Sequence, residues 1–297
     1  MPFNWTPEAM VAFISLASAF FFAVGQIWVR IGLQYAPPLS AVAISNAGTA
    51  LWVWLTLAPF VSFASSSQTG IYLYMFLGVL SPLASQALLF ASTLQVGISR
   101  ASPIRNTAPL FASLLSVAFL GERWTTALVA GTVLIVMGGT LLGMRDSADP
   151  HEFKRTYLIL PLIGALLGGV SSPLRKFGFS LVPSVPLATC ALMTGGMLAL
   201  LAYLAVTRTY KKLVMSRETI LWFGLSGLAS GIAITLNLAA LEGGPVVIIA
   251  PLIATTPLFT VILSALYLRS YEKVTMKIAL GATAICLGGV ILVAFKF

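Results

Sequence analysis

Carboxylates are scarce in this chain. It carries eight Asp and Glu in 297 residues, and each falls at the end of an apolar run or between two runs. No acid is therefore expected at mid-membrane depth, where proton relays place theirs. A cation held at the midplane wants a buried anion that also carries the proton, so a proton-coupled exporter of cationic drugs is disfavoured. Glu8 and Glu242 are the two acids that a water-filled cavity would reach first. Histidine is scarcer still: the single one, His151, lies in a polar stretch. No intramembrane His or Asp is left to activate a Ser or Cys nucleophile, and no cluster has metal-ligand character. No enzymatic activity, cofactor or metal is expected. The two cysteines, Cys190 and Cys286, lie inside apolar runs; they read as small packing residues, not as a disulfide.

Charge as a whole is the next shortage. Only 8% of the residues are charged, against about 25% in soluble globular chains. The chain is 59% hydrophobic with a mean hydropathy of +0.99. A water-soluble fold cannot hide that much apolar surface, so the composition implies an integral membrane protein. The net charge of +9 does not point to nucleic acid, because the basic residues fall between apolar runs and form no single polar face. The first run, from Met10, is too long for a signal h-region and follows Glu8 instead of basic residues; it reads as a retained span.

Charged and Pro/Gly/Ser clusters divide the chain into ten apolar runs: 10–32, 39–61, 71–93, 98–119 and 124–144, then 157–178, 184–206, 219–240, 246–268 and 275–296. A span needs about 20 apolar residues. In lipid each must be a helix, since every backbone donor and acceptor needs an internal partner. The runs lack the alternation of a membrane barrel.

One polar stretch, "MRDSADPHEFKR" (144–155), separates two sets of five spans. The sets match in order. "VRIGL" (29–33) faces "RKFGF" (175–179), and "PLAS" (82–85) faces "GLAS" (227–230). "PIRNTAPLF" (103–111) faces "PLIATTPLF" (251–259), 148 residues later, with its two prolines six apart in both copies. Glu122 faces Glu272, Gly131 faces Gly281, and Gly138-Gly139 face Gly288-Gly289. Five is odd, so the second set enters the membrane from the opposite side. The expected fold is an all-α integral membrane protein with ten transmembrane helices as two inverted five-helix repeats. The first repeat spans residues 1–144, the linker 145–156 and the second repeat 157–297. In such an architecture the substrate site lies near the midplane, where the repeats meet.

This pattern resembles the drug/metabolite transporter superfamily, EamA-type branch, over nearly the whole chain. Within it the aromatic amino acid exporters are the nearest likeness. The resemblance implies that the first, third and fourth spans of each half surround a central cavity. Candidate substrate-binding residues there are Gln26 and Trp28 on span one and Ser171 and Ser172 on span six. Ser85, Gln86 and Ser92 follow on span three, with Thr235 and Asn237 on span eight. The proline stretches add Arg105, Asn106, Thr107, Thr255 and Thr256. Ser and Thr in membrane helices often bond their own backbone or allow close packing; an amide facing lipid is costly, which favours Gln26, Gln86, Asn106 and Asn237. Trp28 is equally readable as an interfacial aromatic. Pro103, Pro109, Pro173, Pro251 and Pro257 are candidate gating hinges, since proline frees carbonyls on the turn before it. Arg105 either snorkels to the surface or meets a substrate carboxylate. Arg105 and Arg175 together in the cavity would instead favour a phosphorylated or dicarboxylic cargo.

The sequence thus implies a transporter, by expectation an exporter, of small neutral or zwitterionic metabolites such as amino acids, multi-pass in the inner membrane and working as a monomer or weak homodimer. The alternatives are a proton-coupled multidrug exporter and a phosphorylated-metabolite exchanger using Arg105 and Arg175. Its partners are the small-molecule substrate and the lipid bilayer. Loops on one side gather twelve of the seventeen Lys and Arg residues. The positive-inside rule makes that side cytoplasmic and puts both termini outside, whereas the family resemblance implies termini inside.

Overall fold

The computed structural model describes residues 6–63, 66–84, 88, 92, 101, 104–143, 155–267 and 276–294. Among them there is no strand. The helices are α1 (Pro7–Gly32), α2 (Pro38–Leu57), α3 (Gln68–Gly78), α4 (Ala108–Leu120), α5 (Thr126–Gly143), α6 (Ile159–Gly178), α7 (Val185–Thr207), α8 (Arg217–Gly243), α9 (Val246–Ile253), α10 (Thr256–Tyr267) and α11 (Met276–Ala294). Their starts follow local chemistry. Thr6, Ser67, Ser184 and Ser216 each accept the N–H of the residue three positions on, which satisfies one orphan donor of the first turn. Pro7, Pro38 and Pro186 sit in first turns, where a missing N–H costs nothing. Among the described residues six stretches are long and apolar enough to cross a membrane, one of them the combined α9–α10 segment; Ala108–Leu120, Thr126–Leu142 and Leu280–Leu292 are shorter apolar helices. Large apolar side chains face outward, Phe119 being 79% exposed, as a lipid solvent permits. α3 runs on into a π-helical turn, Val79–Ala84.

Interhelical contacts give the directions. α1 runs against α8: Ser18 Oγ donates to the Ala233 carbonyl at 2.8 Å, while seven residues later Gly25 meets Ser226 and Ser230. α2 runs alongside α8: Ser45 bonds the Phe223 carbonyl and Thr49 the Gly227 carbonyl, both partners advancing by four. Most telling is the pair α5 and α11, the fifth span of each half. A Cβ on Gly131 would lie 2.9 Å from the Gly288 carbonyl oxygen, and one on Gly138 would lie 2.5 Å from that of Gly281. Gly131 thus meets the counterpart of Gly138, not its own counterpart. Equivalent helices that cross head to tail require a twofold axis perpendicular to them. For helices that span a bilayer, that axis lies in the membrane plane, so the repeats are inverted.

The two proline stretches end up as breaks, so the expected continuous helix 246–268 is corrected to two helices, α9 and α10, with a turn at Ala254 and Thr255. In the first half Ile104 and Arg105 are helical, Asn106 and Thr107 form the turn, and α4 follows. Both breaks fall between the prolines. Pro109 and Pro257 have no N–H to give and clash with the carbonyl four residues back, so each starts a new helix. The same hydroxyl bridges each gap: Thr107 Oγ1 donates to the Ile104 carbonyl at 2.6 Å, and Thr255 Oγ1 to that of Leu252 at 2.7 Å.

Candidate functional site

α1 shows where the interior lies. Gln26 is exposed, yet it shares its face with Ala19, two turns earlier and fully buried, and with the fully buried Ser15. That face looks between α8 and α10, and Thr260 Oγ1 of α10 donates to Gln26 Oε1 at 3.4 Å. Gln26 is thus an exposed amide on a face whose two preceding turns are buried. α6 repeats the arrangement: half-buried Ser172 lies two turns after Ala165, which is fully buried. Ala19 with Gln26 and Ala165 with Ser172 are the same positions in the two halves. Trp28 is about 200° around α1 from Gln26 at 100° per residue. It sits half-buried on the other side of α1, so the structure does not bring it together with Gln26.

The other candidates divide by how their polar atoms are used. Thr255 and Thr256 are buried, and their hydroxyls donate to the carbonyls of Leu252 and Ile253. The Ile253 carbonyl is the one Pro257 frees, so these protons stabilise the break. Thr235 likewise bonds the Gly231 carbonyl. Asn106 is half-buried at its break, facing Gly139 of α5, whose added Cβ would come 3.5 Å from Asn106 Nδ2. Arg105 is half-buried one residue earlier. Pro109 and Pro251 are buried, Pro257 half-buried, and Pro173 is buried inside α6. Ser85, Gln86 and Pro103 lie outside the described residues; Ser92 is helical and fully buried.

Among the described residues six side chains leave a buried polar atom without a hydrogen-bond partner: Ser66, Ser113 and Trp124, and then Ser171 Oγ and Arg175 Nε on α6 and Asn237 Oδ1 on α8. The last three are 1%, 5% and 7% exposed. Tyr74, fully buried on α3, donates its hydroxyl to the backbone carbonyl of Arg175 at 2.8 Å. This pins the α6 backbone and leaves the guanidinium free of that bond. Beside Arg175, Lys176 Nζ donates to the Glu242 carbonyl at 3.1 Å, tying the end of α6 to the end of α8. Glu122 Oε1 and Oε2 accept the N–H groups of Val246 and Val247 at 2.8 and 2.9 Å. A loop of the first half thereby caps α9 of the second. A cleft of about 430 Å³ between α4 and α6 is lined by Leu115, Phe119, Leu120, Val170, Pro173, Leu174 and Phe177; it is apolar and holds none of the polar candidates. No group of metal-ligating residues occurs among the described residues.

The profile of the EamA-like transporter family matches the chain twice, over residues 9–144 and 155–295. The chain belongs to the EamA-like transporter family. It is a multi-pass membrane transporter of the drug/metabolite transporter superfamily. The two matched stretches of this EamA-like transporter are the two halves that meet head to tail at α5 and α11. A solved structure titled only "Crystal structure of protein" is similar in fold, with a TM-score of 0.76 and 15% identity over 95% of both chains. No curated protein matches the chain.

Sequence reasoning put Arg175 only into an alternative reading and gave Tyr74 no role. The legible signal for Arg175 was a cation three residues inside the predicted end of span six. Nothing in the sequence told that its carbonyl, and not its guanidinium, would be the bonded group.

Proposed function

We propose that this EamA-like transporter exports small neutral or zwitterionic metabolites, amino acids foremost, by alternating access at the inward faces of α1, α6 and α8. The observation that carries this reading is the matched pair Gln26 and Ser172, accessible neutral polar groups on otherwise buried helix faces at equivalent positions of the two halves. A solute held there by hydrogen bonds needs no acid in the spans. The four described carboxylates, at Glu8, Glu122, Glu218 and Glu242, all lie at helix ends or in loops. The broken helices at Asn106-Thr107 and Ala254-Thr255 are the hinges, and the inner membrane is the site of action.

The test is transport by purified protein in proteoliposomes loaded with L-leucine or L-phenylalanine. Uptake and counterflow are expected to proceed equally with and without a pH gradient. Abolition of both when the gradient is collapsed favours a proton-coupled multidrug exporter, and counterflow with sugar phosphates alone favours the phosphorylated-metabolite exchanger.

A further inference from the structure

The unpartnered polar atoms on α6 and α8 differ in kind. Arg175 Nε and the Ser171 hydroxyl are donors; Asn237 Oδ1 is an acceptor. Each side chain is more than nine-tenths buried. A buried orphan donor or acceptor costs about 1–3 kcal/mol, more for a charged group, and a charge inside a membrane helix marks a functional site by default. No ion pair reaches Arg175 among the described residues, and its Nε is left without a hydrogen-bond partner.

The two helices set the three groups in register. α6 and α8 run in the same direction, since α7 alone lies between them in the chain. The Lys176–Glu242 bond fixes their relative height. Five residues back from each end of that bond are Ser171 and Asn237, so both sit at one level, about 7.5 Å inward at 1.5 Å per residue. Arg175 follows Ser171 by one turn on the buried side of α6. Two donors, one of them cationic, and one acceptor therefore share one level or lie a turn apart. A carboxylate takes hydrogen bonds from Arg and from a hydroxyl; an ammonium donates to an amide oxygen. A phosphate fits this set poorly. It carries up to two negative charges and only accepts, while the second cation, Lys176, is already engaged with Glu242.

We propose that Arg175, Ser171 and Asn237 form the head-group seat for an α-amino acid, Arg175 and Ser171 holding its carboxylate and Asn237 its ammonium. This rests on the amino-acid reading above and assigns its polar contacts. The side chain of the bound amino acid then lies beside Ser172, the next residue along α6.

Thermal-shift and calorimetric binding on the full-length protein in nanodiscs test it. The probes are L-leucine and L-phenylalanine, their amides, which lack the carboxylate, and 4-methylpentanoate and 3-phenylpropionate, which lack the ammonium. Wild type is expected to bind the amino acids and neither class of analogue comparably. Arg175→Met is expected to weaken amino-acid binding about 10- to 100-fold and to bind the amides no worse than the amino acids. Asn237→Leu is expected to lose discrimination against the des-amino acids while keeping discrimination against the amides. Ligand-free Arg175→Met is expected to melt higher than wild type, because it removes an uncompensated charge; a purely structural Arg175 would give the opposite. Unchanged affinities and preferences in both variants, with wild type still binding the amino acids, overturn the seat and leave the amino-acid reading standing. A lower melting temperature of Arg175→Met with unchanged analogue preference also overturns it. Failure of wild type to bind or transport either amino acid overturns both.

Discussion

Removing the Glu122 carboxylate is the sharpest test of how the two halves hold each other. Its oxygens accept the first two N–H groups of α9, at 2.8 and 2.9 Å. α9 has only eight residues and ends at a break; its N-cap Pro245 has no N–H and Ile248 donates to the Pro245 carbonyl, so these two are the first-turn donors left for an outside acceptor. A hydrogen bond to a charged group contributes about 1.5–3 kcal/mol, and an anion at a helix N-terminus adds about 0.3–1 kcal/mol. The site is half-buried at the end of the bundle, where water replaces part of what is lost, so Glu122→Ala is expected to cost about 2–3 kcal/mol in all. At roughly 2–4 °C per kcal/mol for a chain of this size, Tm falls by about 4–12 °C. Glu122→Gln keeps an acceptor for one N–H and loses the charge, so it falls between Ala and wild type. Exposed Arg123 next to it supplies the control, and Arg123→Ala is expected to melt with wild type. The assay is thermal melting of detergent-purified protein followed by size-exclusion recovery. If Glu122→Ala melts with wild type, or if Gln is as damaging as Ala, the capping explanation is wrong.

Two further outcomes follow from the fold. Thr107→Val and Thr255→Val each remove the hydroxyl that bridges a helix break; both are expected to keep the protein folded and to change counterflow rates by a similar factor, and an effect confined to one half would refute the equivalence of the breaks. A reporter pair fused to the C-terminus is expected to show periplasmic activity only, as the cation count of the loops requires; cytoplasmic activity alone would reverse the assigned orientation.

The inversion was legible in the sequence, because an odd number of matched spans requires it. The doubled Pro-x5-Pro spacing marked two hinge positions, but each span was read as one continuous helix, and the full break at Ala254 and Thr255 was not foreseen. The Gly131, Gly138, Gly281 and Gly288 set marked two helices that meet backbone to backbone. Which way a side chain points was not legible. In a bilayer the lipid is as apolar as the core, so periodicity does not separate inside from outside, and Gln26 and Trp28 looked equivalent two residues apart. Thr255 and Thr256 looked like ligands for cargo; their hydroxyls serve backbone carbonyls at the break, that of Ile253 being the one Pro257 leaves open. Glu122 was recognised as a matched acid, but its role depends on Val246 and Val247, more than 120 residues away.

The glycine seam between α5 and α11 limits how this molecule can move. Backbone touches backbone there, with Ile135, Leu142, Ile285 and Leu292 packed into the same seam, so neither helix can slide or roll past the other without steric collision. That edge is a fixed keel shared by both halves. Whatever opens the protein first to one side of the bilayer and then to the other must pivot away from it, and a rigid clamp engineered across that seam should leave the traffic of solute untouched.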